Sequence, residues 1–81
     1  EEYMSASLNF QKTIDYAELI KDTSRMENGY IIVGGCQYQI GKYPEALNAF
    51  QSALHLGELT KNLKIQAKAL NNIGNIQDEL K

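Results

Sequence analysis

The sequence predicts an all-α protein of about four helices stacked as antiparallel pairs, and three observations carry that reading. Apolar residues recur at spacings of three and four along most of the chain, the helical period, and strand-like alternation is absent. Cap and turn residues interrupt the pattern around Asp22, Gly41 and Asn62. The chain also matches itself at an offset of 40, where nine of 41 compared pairs are identical and ordinary composition would give roughly two or three. These pairs are Tyr3/Tyr43, Ala6/Ala46, Phe10/Phe50, Gln11/Gln51, Glu18/Glu58, Leu19/Leu59, Lys21/Lys61, Gly34/Gly74 and Gln37/Gln77. Such a period is the mark of a stacked repeat, in which each unit buries its apolar face against its neighbours.

The first helix is predicted from about Glu2 to Lys21, with Tyr3, Ala6, Phe10, Ile14 and Ala17 on one stripe. Asp22-Thr23-Ser24 breaks it, and Ser24 followed by Glu27 fits a capping box opening a second helix, Arg25 to Ile40. Gly41 stands where a left-handed helix terminus costs least, and Pro44 where the first residue of a helix needs no amide hydrogen. The third helix then runs from Pro44 to about Leu59. Asn62 caps a fourth that extends through Leu80 and carries Leu63, Ala67, Leu70, Ile73, Ile76 and Leu80. The divisions are a half repeat at 1–22, a full repeat at 24–59 and a half repeat at 62–81. Glu1 and Glu2 open directly into helix-forming sequence without an initiator Met, so a piece of a longer protein is expected.

Composition narrows the function classes. Eighty-one residues, 43% of them hydrophobic, leave room for one small domain and exclude a two-domain enzyme. A net charge of −2 with no basic tract speaks against nucleic acid and against an anionic membrane surface. The longest apolar run, Tyr30 to Val33, is far short of the ~20 residues that span a bilayer. The single Cys36 cannot form an intrachain disulfide, which leans towards a reducing, cytoplasmic compartment. It also has no basic residue within a helical turn to stabilise a thiolate, so it reads as a small buried or groove-lining residue. Gly34-Gly35 lacks the Lys-Ser/Thr ending of a phosphate loop. His55 is the only histidine, and Ser52 lacks an orienting acid and an oxyanion hole. No catalytic residue, cofactor or metal is expected.

From Gly34 to Leu54 the sequence resembles the tetratricopeptide repeat in its longer, 40-residue variety. Val33-Gly34 stands for the Leu-Gly pair of the first helix. Ala46, Phe50 and Ala53 fall at the signature spacing in the second, and Gly41-Lys42-Tyr43 resembles the turn. The same places recur as Ala6 and Phe10 upstream and Ile73-Gly74 downstream. Departures are Tyr30 and Leu70 for the first-helix aromatic, Gln37 and Gln77 for the later one, and Glu58 for the closing Pro. The resemblance implies a right-handed solenoid that binds a peptide or protein ligand without catalysis. The alternative it leaves open is a sensory or dimerisation module regulating a histidine kinase or DNA-binding output domain.

Within that resemblance, asparagines flanking the Leu-Gly pair point into the concave groove and hold a peptide main chain, places that Asn72 and Asn75 occupy here. Asn71 and Lys68 lie one turn from them and extend a polar stripe, which an ordinary solvated face would also produce. In the preceding unit the inward candidates are Ile31, Gly35, Tyr38 and Gln39. Self-association is a further expectation. The fourth helix carries apolar residues over a wider arc than one flanking helix covers, and the first carries Met4, Leu8, Tyr16, Leu19 and Ile20 outside its main stripe. Terminal helices are therefore expected to pack on another copy, helix exchange being one route.

Overall fold

A computed structural model describes residues 2–81; Glu1, counted above in the opening of the first helix, lies outside the described residues. Four helices follow one another: α1 (Glu2–Leu19), α2 (Thr23–Gln39), α3 (Tyr43–Thr60) and α4 (Leu63–Glu79). No strand occurs among the described residues. Each helix packs on the next, α2 also meets α4, and Ile14 of α1 shares an apolar cluster with Val33 of α2 and Ala49 of α3. The fold is therefore all-α, a chain of consecutive helical hairpins.

The three connections share one geometry at intervals of 20 residues. Lys21, Gly41 and Lys61 all have left-handed backbone, with φ of 57°, 81° and 59°. The amide of the following residue donates back to the preceding helix each time: Asp22 to the Ala17 carbonyl at 2.7 Å, Lys42 to Gln37 at 2.8 Å and Asn62 to Gly57 at 2.8 Å. A second set of bonds runs one step inside, from Lys21 to Glu18, Gly41 to Tyr38 and Lys61 to Glu58. Together they form the Schellman closure that satisfies otherwise orphaned carbonyls. The sequence points to a left-handed residue only at Gly41. Two lysines adopt the same conformation because the repeated closure outweighs the ~1–2 kcal/mol that a side chain costs there.

Two helix starts differ from expectation. The capping box of Ser24 and Glu27 does not form: Asp22 is the N-cap, and its side chain accepts from the Arg25 amide at 3.2 Å. The tight closure at Lys21 has already placed the Asp22 carboxylate over the first turn, leaving Ser24 inside α2. Pro44 is the second rather than the first residue of α3, after Tyr43. Asn62 caps α4 as expected, its Oδ1 accepting from the Ile65 amide at 3.2 Å.

Small residues set the helix crossings. A Cβ at Gly34 would lie 2.8 Å from the Phe50 ring, and one at Gly29 would lie 2.6 Å from Ile14 Cγ1. Close approach at these two points lets Phe50 and Ile14 become almost completely buried. Ala46 and Ala53 are wholly enclosed on the same face of α3, and Ile76 of α4 closes the cluster around the ring. On α4 the inward face is Ile65, Ala69 and Ile76, with Ile73 half-buried. The stripe read from the sequence is largely outward, since Leu63, Ala67, Leu70 and Leu80 are exposed. On α1, Ile14 and Ala17 are buried, Ala6 and Phe10 are half-buried, and Tyr3 is exposed.

Truncating the enclosed ring by Phe50→Ala should cost ~3–5 kcal/mol in urea unfolding. Gly34→Ala should also destabilise, by about 1–3 kcal/mol from overpacking, although alanine is intrinsically the better helix former. Unchanged midpoints for both variants would show that this crossing does not organise the core.

Candidate functional site

The candidate residues stand on α2 and α4, which meet in the fold. Tyr38, near the C-terminal end of α2, is half-buried, and its hydroxyl reaches Glu79 Oε1 of α4 at 3.5 Å. Its ring leans on Tyr43, with centroids 5.4 Å apart. Burial raises the Tyr38 phenol above its usual pKa, and Glu79, Tyr43 and the Glu79 hydrogen bond act in the same direction. The neutral hydroxyl is thereby kept as a donor. Gln39 is exposed beside it, and Gly35 has open space over its Cα.

On α4, Lys68, Asn71 and Asn75 are exposed and Asn72 is half-buried. Asn72 has already committed its Nδ2, which donates to the Lys68 carbonyl at 2.8 Å. Its second N–H and its oxygen remain for another partner, whereas Asn71 and Asn75 present whole carboxamides. The six candidates stand on α2 and α4, two helices in contact. The hydrogen bond there from α2 to α4 joins Tyr38 and Glu79, and Ile31 packs with Ile76 beside it.

A further concavity lies elsewhere, between α2 and α3. It is an open groove of about 500 Å³ bordered by Tyr30, Asn48, Gln51, Ser52 and His55 among others. A neighbouring hollow of about 270 Å³ shares Tyr30, Asn48 and Ser52 with it and reaches Gln11 of α1. Ser52 and His55, which the sequence offers only as weak catalytic candidates, border the same groove with no acidic side chain in its lining. Cys36 is buried, and among the described residues no three His, Cys, Asp or Glu side chains are grouped to hold a metal ion.

The most constrained polar cluster has no counterpart in the sequence reading. Glu27 is only 2% exposed, the one charged residue in the buried interior among the described residues. Its carboxylate accepts from the Thr60 hydroxyl and, at 3.3 Å, from Asn62 Nδ2. Asn62 thus caps α4 with its oxygen and holds Glu27 with its nitrogen. One buried charge ties the first turns of α2 to the α3–α4 connection. A helix-interior Glu with no partner close in sequence gives no warning of this, and the nearby Ser24 diverts attention to a local cap.

No family model, curated protein or solved structure matches the chain. Its chemistry is therefore read from its own residues.

Asn62→Asp isolates the buried cluster, because aspartate is as good a cap as asparagine but would set a second carboxylate against Glu27. The substitution should cost about 1.5–3 kcal/mol, the range for losing a hydrogen bond to a charged group. Adding Glu27→Gln should recover most of it, since the introduced carboxamide can donate to the introduced carboxylate. Chemical denaturation of the wild type, both single variants and the double variant checks this; a double variant no more stable than Asn62→Asp would break the assignment.

Proposed function

We propose that this chain is a non-catalytic helical-repeat module of the tetratricopeptide kind, stacked as a right-handed solenoid, that binds a peptide or protein segment along the face shared by α2 and α4. The observation that carries the reading is the exposure of Lys68, Asn71 and Asn75 at helical-turn spacings on α4, with Gln39 exposed and Tyr38 half-buried on the adjoining α2. Carboxamides suit a peptide main chain because each can donate to a carbonyl and accept from an amide. Rigid helices hold them there, so little ordering is needed on binding. The 20-residue recurrence of the connections and the 40-residue recurrence of sequence support the repeat reading. No cofactor enters this function.

Selection of peptides from a random library on the immobilised chain, followed by amide chemical-shift mapping, tests the proposal. Shifts should concentrate on Gly35, Gln39, Asn71 and Asn75. Replacing Asn72 and Asn75 together by Ala should weaken binding from several-fold to about a hundred-fold, two hydrogen bonds' worth, with helix content unchanged. Peptides that instead map to Tyr30, Asn48 and Ser52 would move the site to the other groove.

A further inference from the structure

The two hollows beside α3 join into one groove. Its floor is α2, one wall is α3, and Gln11 of α1 stands on the other side. From Met26 to Gln37 it follows α2 for about 16 Å at a rise of ~1.5 Å per residue, the span of about five extended residues. Tyr30 borders both hollows and is half-buried. Burial raises its phenol above the usual pKa, and Glu18 and then Asp15 of α1 act in the same direction, so both carboxylates lie close enough to be felt at the hydroxyl. Gln11 donates to Asp15 at 3.4 Å, and Glu45 of α3 borders the same stretch. The ion pairs among the described residues, Arg25 with Asp22 and Lys81 with Asp78, involve none of these acids. Among the described residues neither hollow is lined by a lysine or arginine; Lys42 borders a third hollow beyond Gln37. The Gln37 Oε1 is itself buried without a hydrogen-bond partner among the described residues.

We propose that this groove is a second binding site, which takes a basic peptide segment and seats one of its arginines against the Tyr30 ring, the guanidinium lying among Asp15, Glu18 and Glu45. Charge complementarity selects the occupant. A guanidinium carries donors only, which suits carboxylates and carboxamide oxygens. It is also attracted to the face of an aromatic ring. Its methylene stem covers apolar surface of the kind that Met26 and Leu56 offer along the groove. An acidic segment would instead meet three carboxylates, and an apolar one would cover Asn48, Gln51 and Ser52 without giving them partners, which costs free energy. The site stands apart from the α2–α4 face, because α4 borders neither hollow. A peptide held here leaves Asn71 and Asn75 free, so the two sites are read separately.

Titration of the isotope-labelled 81-residue chain with the capped peptide Ala-Ser-Arg-Ser-Ala, up to millimolar concentration, tests the assignment. Amide shifts should saturate and concentrate on Gln11, Tyr30, Gln37 and Ser52, while Asn71 and Asn75 stay in place. The same peptide with citrulline, neutral and nearly isosteric with arginine, should bind at least about ten-fold more weakly, the loss of ~1.4 kcal/mol. Asp15→Asn with Glu18→Gln, both at exposed sites, should weaken the arginine peptide several-fold, up to about ten-fold, as expected for two solvent-screened ion pairs. Glu58→Gln with Asp78→Asn removes the same charge from residues that border none of the hollows, and should change binding by less than about two-fold because distant exposed charges are screened. An arginine peptide that leaves the groove amides unmoved, a citrulline peptide that binds equally well, or equal weakening by the two double variants would each overturn the proposal. Displacement of the peptide by equimolar spermidine would overturn it as well, by making the groove a site for free polyamines.

Discussion

The fold depends on the place where α2 and α3 come close enough for a phenyl ring to fill the space a side chain at position 34 would need. Phe50 is 1% exposed only because Gly34 presents bare backbone to it. With the ring seated there, Ala46 and Ala53 bring the rest of α3 against its neighbours, and Ile76 of α4 completes the enclosure. A larger residue at 34 would force the ring aside and open the packing of three helices at once, since protein interiors transmit such shifts rather than absorb them. The connections reinforce this arrangement by returning the chain in the same way every 20 residues. Local closure and distant packing agree on one geometry, a consistency that favours a single native state.

Much of this is legible in the sequence because it rests on few, unambiguous residues. Gly34, Ala46 and Phe50 announce a close crossing by their sizes and spacing, and Asn62 announces a cap by standing alone before an apolar run. The inward face of α4 is not legible for the opposite reason. Apolar residues surround most of that helix, so period alone leaves two stripes, Ile65, Ala69 and Ile76 or Leu63, Ala67 and Leu70. What selects the first is the shape of α3, whose small residues admit a branched side chain between them, information that lies outside α4. The cap of α2 shows a related failure. Asp22 and Ser24 are both good caps, and the closure of the preceding helix, not the sequence of α2, decides between them.

The candidate binding face is legible in part. Position along α4 is enough to place Asn71, Asn75 and Lys68 on an exposed side, while the internal bond of Asn72 depends on a rotamer that spacing cannot supply. The grooves beside α3 and the Glu27 cluster escape a sequence reading because both are made by residues far apart in the chain. Polar groups that meet only in the folded chain leave no periodic trace. The bond from Tyr38 to Glu79 is of the same kind, spanning two helices that are not consecutive.

Glu27 also carries information about assembly order. The sequences of α1 and α3 match at an offset of 40 residues, so one can ask what α2 would meet if α1 of another molecule stood in the place of α3. In that arrangement the buried carboxylate would lose Thr60 and Asn62 and find Ile20 and Asp22 at the corresponding positions, a hydrocarbon and a second acid. Stripping a buried charge of its partners costs about 3–5 kcal/mol, a large share of the stability of a domain this small. Ala67, at the corresponding place on α4, imposes no such penalty. The bonds of Glu27 to Thr60 and Asn62 thus favour α3 over its sequence counterpart α1 at this place on α2.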